Sequence, residues 1–207
     1  MTENTEDPAA DIAWMRRLAE EGRDAPLLNG PILVAAALVF GVANLGQWAI
    51  MTGLIDVDPM AQLWLWLAAG AVFAIALFVL IPRASRKPGS GSHGNKAVAA
   101  AWSGIGFGIF VMWLSLMAIG FKSGDWTMMW AMPSIVATAY GSAWIGSGAA
   151  TGQRWMTVTG LIAYAGAVLF GFLIGETALY LAFAALMVAT ALVPGLVLMR
   201  REPADAA

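Results

Sequence analysis

The chain has 207 residues, of which 60% are hydrophobic and 12% charged, with a formal net charge of −2 and a mean hydropathy of +0.74. A soluble domain carries about a quarter charged residues, so a chain this apolar needs lipid as its solvent. No excess of positive charge points to nucleic acid, and the absence of cysteine excludes disulfides, thiol nucleophiles and thiolate-bound metals.

The N-terminal segment, residues 1–27, is the polar part. It holds ten of the twenty-four charged residues and opens "MTENTEDPAADIAWMRR". A secretory signal begins basic and then turns apolar, so none is expected. Within it, residues 9–22 form an amphipathic helical pattern. Ile12, Met15 and Leu18 or Ala19 recur at helical spacing, and Asp11 precedes Arg16 and Arg17 as the helix dipole favours. Such a helix lies on the inner leaflet or docks a cytoplasmic partner.

Six charge-free stretches follow, at 25–55, 59–82, 97–121, 126–153, 155–175 and 177–199. Each reaches the roughly 20 residues that cross a bilayer as a helix. Lipid leaves only helices or closed barrels, and these runs lack the alternation of barrel strands. The expected fold is therefore all-α: a polytopic membrane protein of six transmembrane helices spanning 28–199, with a tail at 200–207.

Arg16, Arg17, Arg23, Arg83, Arg86, Lys87, Lys96, Arg154, Arg200 and Arg201 fall on one side if six helices alternate, and Lys122 falls alone on the other. The positive-inside rule then places both termini in the cytoplasm, and with no targeting signal the expected location is the cell inner membrane. Asp56, Asp58, Asp125 and Glu176 mark the outer turns, so the chain reads as three consecutive hairpins. Asp58-Pro59 looks like an N-cap followed by proline at the first helical position.

In the first run, Ala37, Phe40, Gly41, Asn44, Gln47 and Met51 make one stripe. Asn44 and Gln47 are either interhelical glue, bonding to the third to fifth helices, or part of a polar solute site. Residues 83–96, "RASRKPGSGSHGNK", read as a flexible basic linker against anionic headgroups. "FGVANLGQWAIMTG" in the first run and "FGIFVMWLSLMAIG" in the third suggest a repeated hairpin, with equal Gly41–Gly53 and Gly108–Gly120 spacing.

The fourth run, "PSIVATAYGSAWIGSGAATG", is rich in small residues. Ser134, Thr138, Gly141, Gly148 and Gly152 share a face that would let backbones approach. Val136, Tyr140 and Trp144 form the opposite ridge, expected outward or against larger gaps. With Gly104–Gly108 and Gly171–Gly175, this puts the third, fourth and fifth helices in the tight interior. Trp48, Trp64, Trp66, Trp126 and Trp130 would form an outer belt, and Trp102, Trp144 and Trp155 an inner one. An aromatic box for an organic cation near the outer acids is the alternative.

The only histidine, His93, sits in the linker, which excludes bis-histidine haem, histidine-bound zinc and a serine–histidine intramembrane protease. No run holds the lysine that a retinal Schiff base needs, or the embedded acid or base usual in ion-coupled transporters. No cofactor or metal is expected. Two functions remain: a non-catalytic accessory, scaffold or signalling subunit with a membrane or cytoplasmic protein partner, or a small permease for a neutral or cationic solute. The permease reading uses Asn44, Gln47, Ser134, Thr138 and Ser142, kinks at Pro133 and Pro194, and a homodimer.

Overall fold

The computed structural model describes residues 12–13 and 27–202. Helix α1 spans Gly30–Met51, α2 Ala61–Ser85 and α3 His93–Ser123. A 3-10 turn, Thr127–Ala131, leads into α4, Met132–Thr151, followed by α5, Arg154–Phe172. The last rod, Ala178–Met199, consists of α6 (Ala178–Met187), a π-helical turn (Val188–Leu192) and α7 (Val193–Met199). The described residues contain no strand, and five helices are long and apolar enough to cross a membrane: α1, α2, α3, α5 and the last rod. Several apolar helices of this length make a multi-pass membrane protein, as the composition requires. The expected amphipathic helix lies outside the described residues, apart from Ile12 and Ala13, which are helical and exposed.

Local chemistry sets the helix ends. Pro31 lies in the first turn of α1, where its missing N–H costs nothing. Gly53 leaves that helix with φ 72°, and Gly124 ends α3 with φ 72°, its N–H donating to the Gly120 carbonyl at 2.9 Å. Positive φ is cheap only for glycine. Pro133 also sits in a first turn, so it starts α4 rather than kinking it. Asp58 accepts from the Met60 N–H at 2.7 Å, in a turn that precedes α2 instead of capping it directly.

The basic linker is shorter than its composition suggests. Helix α2 runs through Pro82 to Ser85 and α3 begins at His93, leaving only residues 86–92 between them. Ser92 caps α3 by accepting the Asn95 N–H at 3.2 Å. The Asn95 side chain in turn accepts from the Leu28 N–H at 3.1 Å and donates to Gly89 at 3.0 Å, tying the turn to the start of α1. Lys87 pairs with Glu202 at 2.7 Å, tying it to the tail. The flexible linker is thus replaced by a pinned turn.

The core also differs from expectation. Of an 18-residue apolar stretch in each span, 39% is buried in α1 and in the last rod and 33% in α5, but only 11% in α3 and 6% in α2. The packed interior is α1, α4, α5 and α6, with α2 laid on α1 and α3 on α4 as flanks. Gly104 and Gly108 of α3, and Gly171 and Gly175 near the α5 end, have open space where a Cβ would go. They are not seams within this chain.

Close approach occurs elsewhere. A Cβ on Gly160 would lie 2.9 Å from the Gly141 carbonyl oxygen, and one on Gly141 would collide with the Tyr164 ring. A Cβ on Gly148 would lie 2.8 Å from Thr157 Oγ1. Part of the small face of α4 is therefore pressed against α5, as expected. Gly30 and Gly195 bring α1 and α7 together in the same way, each Cβ position lying 2.9–3.0 Å from the other's carbonyl oxygen.

The α4 ridge points inward, not outward. Trp144 has no exposed surface and packs with Leu33, Val98, Met156 and Leu198. It belongs to the core rather than to a headgroup belt. The proposed repeat also finds no structural echo: Gly53 is a left-handed turn residue, whereas Gly120 lies inside α3 beneath the Trp126 ring.

Candidate functional site

Gln47 is the centre of a polar group that joins α1 to α2. It is 2% exposed and lies four residues from the end of α1, about 6 Å along the axis. Its Nε2 donates to Gln62 Oε1 at 2.7 Å, and its Oε1 accepts from Trp66 Nε1 at 3.1 Å. The Trp130 and Tyr180 rings lie 5.6 Å apart on the neighbouring elements. One amide therefore ties α1 to two side chains of α2 near the Asp56–Asp58 turn.

Sequence reasoning picked Gln47 but missed Gln62 and Trp66. The signal for Gln62 was present: it is the only amide in the run 59–82. Trp66 had been assigned to a belt, and nothing in the pattern distinguished a belt tryptophan from a donor to a buried amide.

Asn44 is 1% exposed, and its Nδ2 donates to the Phe40 carbonyl at 2.7 Å, one turn back on its own helix. The partner expected on the third to fifth helices is not the one this nitrogen uses. An asparagine four residues after a carbonyl can satisfy a donor locally, which removes the need to reach across.

The α4 hydroxyls divide further. Thr138 Oγ1 donates to the Ser134 carbonyl at 2.9 Å and Ser142 Oγ to the Thr138 carbonyl at 3.1 Å, both on an exposed face. Ser142 Oγ also lies 3.0 Å from the Tyr164 hydroxyl of α5. Ser134 Oγ is buried without a hydrogen-bond partner. Gln47 bonds to α2 and Ser142 to α5, so the five candidate residues are not gathered into one site.

A second polar lock lies at the other end of the bundle. Trp144 Nε1 donates to the Thr190 carbonyl at 2.8 Å. In an α-helix that carbonyl would receive the N–H of residue 194, but residue 194 is proline. The indole of α4 thus supplies the Thr190 carbonyl with a donor where Pro194 has no N–H to give. Around it, Trp102 meets Trp144 edge-on at 5.3 Å and Tyr140 edge-on at 5.2 Å, and Trp155 lies 5.5 Å from Trp144. Trp102 Nε1 donates to Ser147 Oγ at 3.2 Å.

The chemistry available to these groups is neutral hydrogen bonding and aromatic packing. Among the described residues no three His, Asp or Glu side chains gather to hold a metal ion. No protein family matches this chain, and no curated protein or solved structure is similar to it.

Proposed function

We propose that the protein is a non-catalytic accessory or scaffold subunit of the cell inner membrane, with six spans and both termini cytoplasmic. The observation that carries this reading is the poor packing of α2 and α3. Two long apolar helices each touch essentially one neighbour and leave Phe78, Phe107 and Phe121 more than two-thirds exposed. On α3 the open Gly104 and Gly108 lie on such a face. Small residues give little to lipid but let another helix approach closely, so this face suits a partner's transmembrane helix.

The sixth span in this reading is α4. It has 20 residues and no charge, but it is richer in Gly, Ser and Thr than the other five. A helix sheathed by α3 and α5 needs less apolarity than one facing lipid. Orientation rests on the ten-to-one distribution of Lys and Arg.

The test is affinity capture of the tagged full chain from its own membranes, with photocrosslinkers at Gly104 and Gly108. A discrete crosslinked partner, weakened by Gly108→Leu, is expected. Crosslinks to lipid alone, unchanged by that substitution, would remove the reading. A permease is the runner-up, favoured by the Gln47 cluster and the π-helical break. Solute uptake by proteoliposomes of the isolated protein would put it first.

A further inference from the structure

A pocket of about 430 Å³ opens between the start of α1, the end of α2, the turn after it and the tail. Its walls change character along the helix axes. Ile32 and Leu80 form the part deeper in the bundle, whereas Arg83, Arg86, Lys87 and Glu202 form the rim. Three cations and one acid above an apolar floor match the order of groups in a phospholipid, acyl chain below and headgroup above.

The acid narrows the chemistry. The Glu202 side chain is only 5% exposed, and its Oε2 takes the Lys87 ammonium at 2.7 Å. Its other oxygen, Oε1, is buried with no hydrogen-bond partner. A buried carboxylate oxygen without a donor is costly, and this one belongs to a residue in the pocket wall. Arg83 and Arg86 are exposed and have no ion-pair partner among the described residues. The pocket therefore offers an anion site with two guanidiniums beside one vacant acceptor for a cation.

We infer that this pocket binds an aminophospholipid of the ethanolamine type. Its phosphate would sit between Arg83 and Arg86, its primary ammonium would donate to Glu202 Oε1, and its glycerol and chain would lie along Ile32 and Leu80. Phosphatidylglycerol supplies the phosphate but no ammonium. Phosphatidylcholine supplies a cation without an N–H to donate. A soluble phosphoethanolamine ester shares the headgroup chemistry but makes no use of the apolar floor. The inference uses the reading of this end as a membrane surface, but not which side of the membrane it faces.

Native mass spectrometry of the full chain in detergent tests it, with equimolar phosphatidylethanolamine, phosphatidylglycerol and phosphatidylcholine. One ethanolamine lipid should be retained about tenfold more tightly than either competitor, the worth of one charge-assisted hydrogen bond. Arg83→Gln and Arg86→Gln should each weaken binding of all three lipids about fivefold.

Glu202→Gln should abolish the preference for ethanolamine while phosphate binding remains. Lys87→Gln breaks the same ion pair but leaves the carboxylate, so there the preference should persist or grow. Equal retention of the three lipids by the wild type would overturn the assignment. So would an equal loss of preference in Glu202→Gln and Lys87→Gln, which would mean the pair only holds the tail. Displacement by equimolar glycerophosphoethanolamine would instead assign the pocket to a soluble ester and overturn the lipid. Because detergent abolishes sidedness, a negative result here is distinct from a wrong orientation, which reporter fusions read.

Discussion

Gln47 and Asn44 lie three residues apart on one helix, yet their surroundings imply different costs for their removal. Gln47→Leu leaves the Gln62 and Trp66 partners without the amide they use. Unpairing a fully buried polar group costs about 1–3 kcal/mol; Gln62 and Trp66 are half-buried and each loses less, so a fall in melting temperature in detergent larger than for Asn44→Leu is expected. Asn44→Leu loses a donor bonded within its own helix, and its cost should stay near or below about 1 kcal/mol. Equal destabilisation by the two substitutions would contradict the local pairing of Asn44. At the turn after α3, the Thr127 hydroxyl and N–H both donate to Asp125 and hold its carboxyl below the usual carboxylate range. Since the folded value is lowered, this contribution is present above the unfolded pKa and is lost as pH falls through the folded one. Thr127→Ala removes the hydroxyl but keeps the N–H, so it should move the Asp125 titration upward, as followed by carboxyl carbon NMR; an unchanged midpoint would show that the hydroxyl is not the cause.

The π-helical turn in the last rod shows how elements here depend on one another. Pro194 removes the donor for the Thr190 carbonyl, and Trp144 from α4 replaces it. Trp144→Phe keeps most of the ring but removes the N–H, leaving a buried carbonyl unpaired. A loss of about 1–3 kcal/mol is expected, and Trp144→Phe combined with Pro194→Ala should recover part of it by restoring the N–H. Failure of the second change to recover anything would show that the indole acts by bulk alone. Much of the element pattern was legible in the sequence, because ionisable residues are costly in hydrocarbon and the charge-free runs mark where helices lie. The linker reads as flexible in the sequence because α2 and α3 continue past their apolar stretches, and its anchors are two lone side chains, Asn95 and Lys87. Which faces turn inward was harder to read. Lipid tails are as apolar as a core, so Trp144 and an exposed Phe78 give the same signal along the chain, and only the small face of α4, with Gly141 and Gly148, pointed to a close contact.

At the scale of the whole molecule, the open question is how the rods are threaded. Five helices are apolar enough to cross a bilayer by composition, and α4 decides whether the number of crossings is odd or even. If α4 crosses, Arg154 joins Arg83, Arg86, Lys87 and Lys96 on one side, and Lys122 stands alone on the other. If α4 does not cross, Arg154 moves to the side of Lys122 and Arg200 and Arg201 follow it, which reduces the charge bias and requires the Lys87–Glu202 pair, which holds the tail beside the end of α2, to break. The positive-inside rule therefore favours six crossings. The packing agrees with a membrane-depth α4, because Gly141 and Gly148 press against α5 along the length that α5 would span. Fusions of a reporter active only outside the cytoplasm can decide between the two. Activity is expected after residues 57, 124 and 175, with none after residue 90 or at the C-terminus. Activity after 57 and 124 but not after 175, together with activity at the C-terminus, would make α4 a non-crossing helix and reverse the last two spans. Activity after 90 with none at 57 or 124 would invert the first half and discard the cytoplasmic N-terminus.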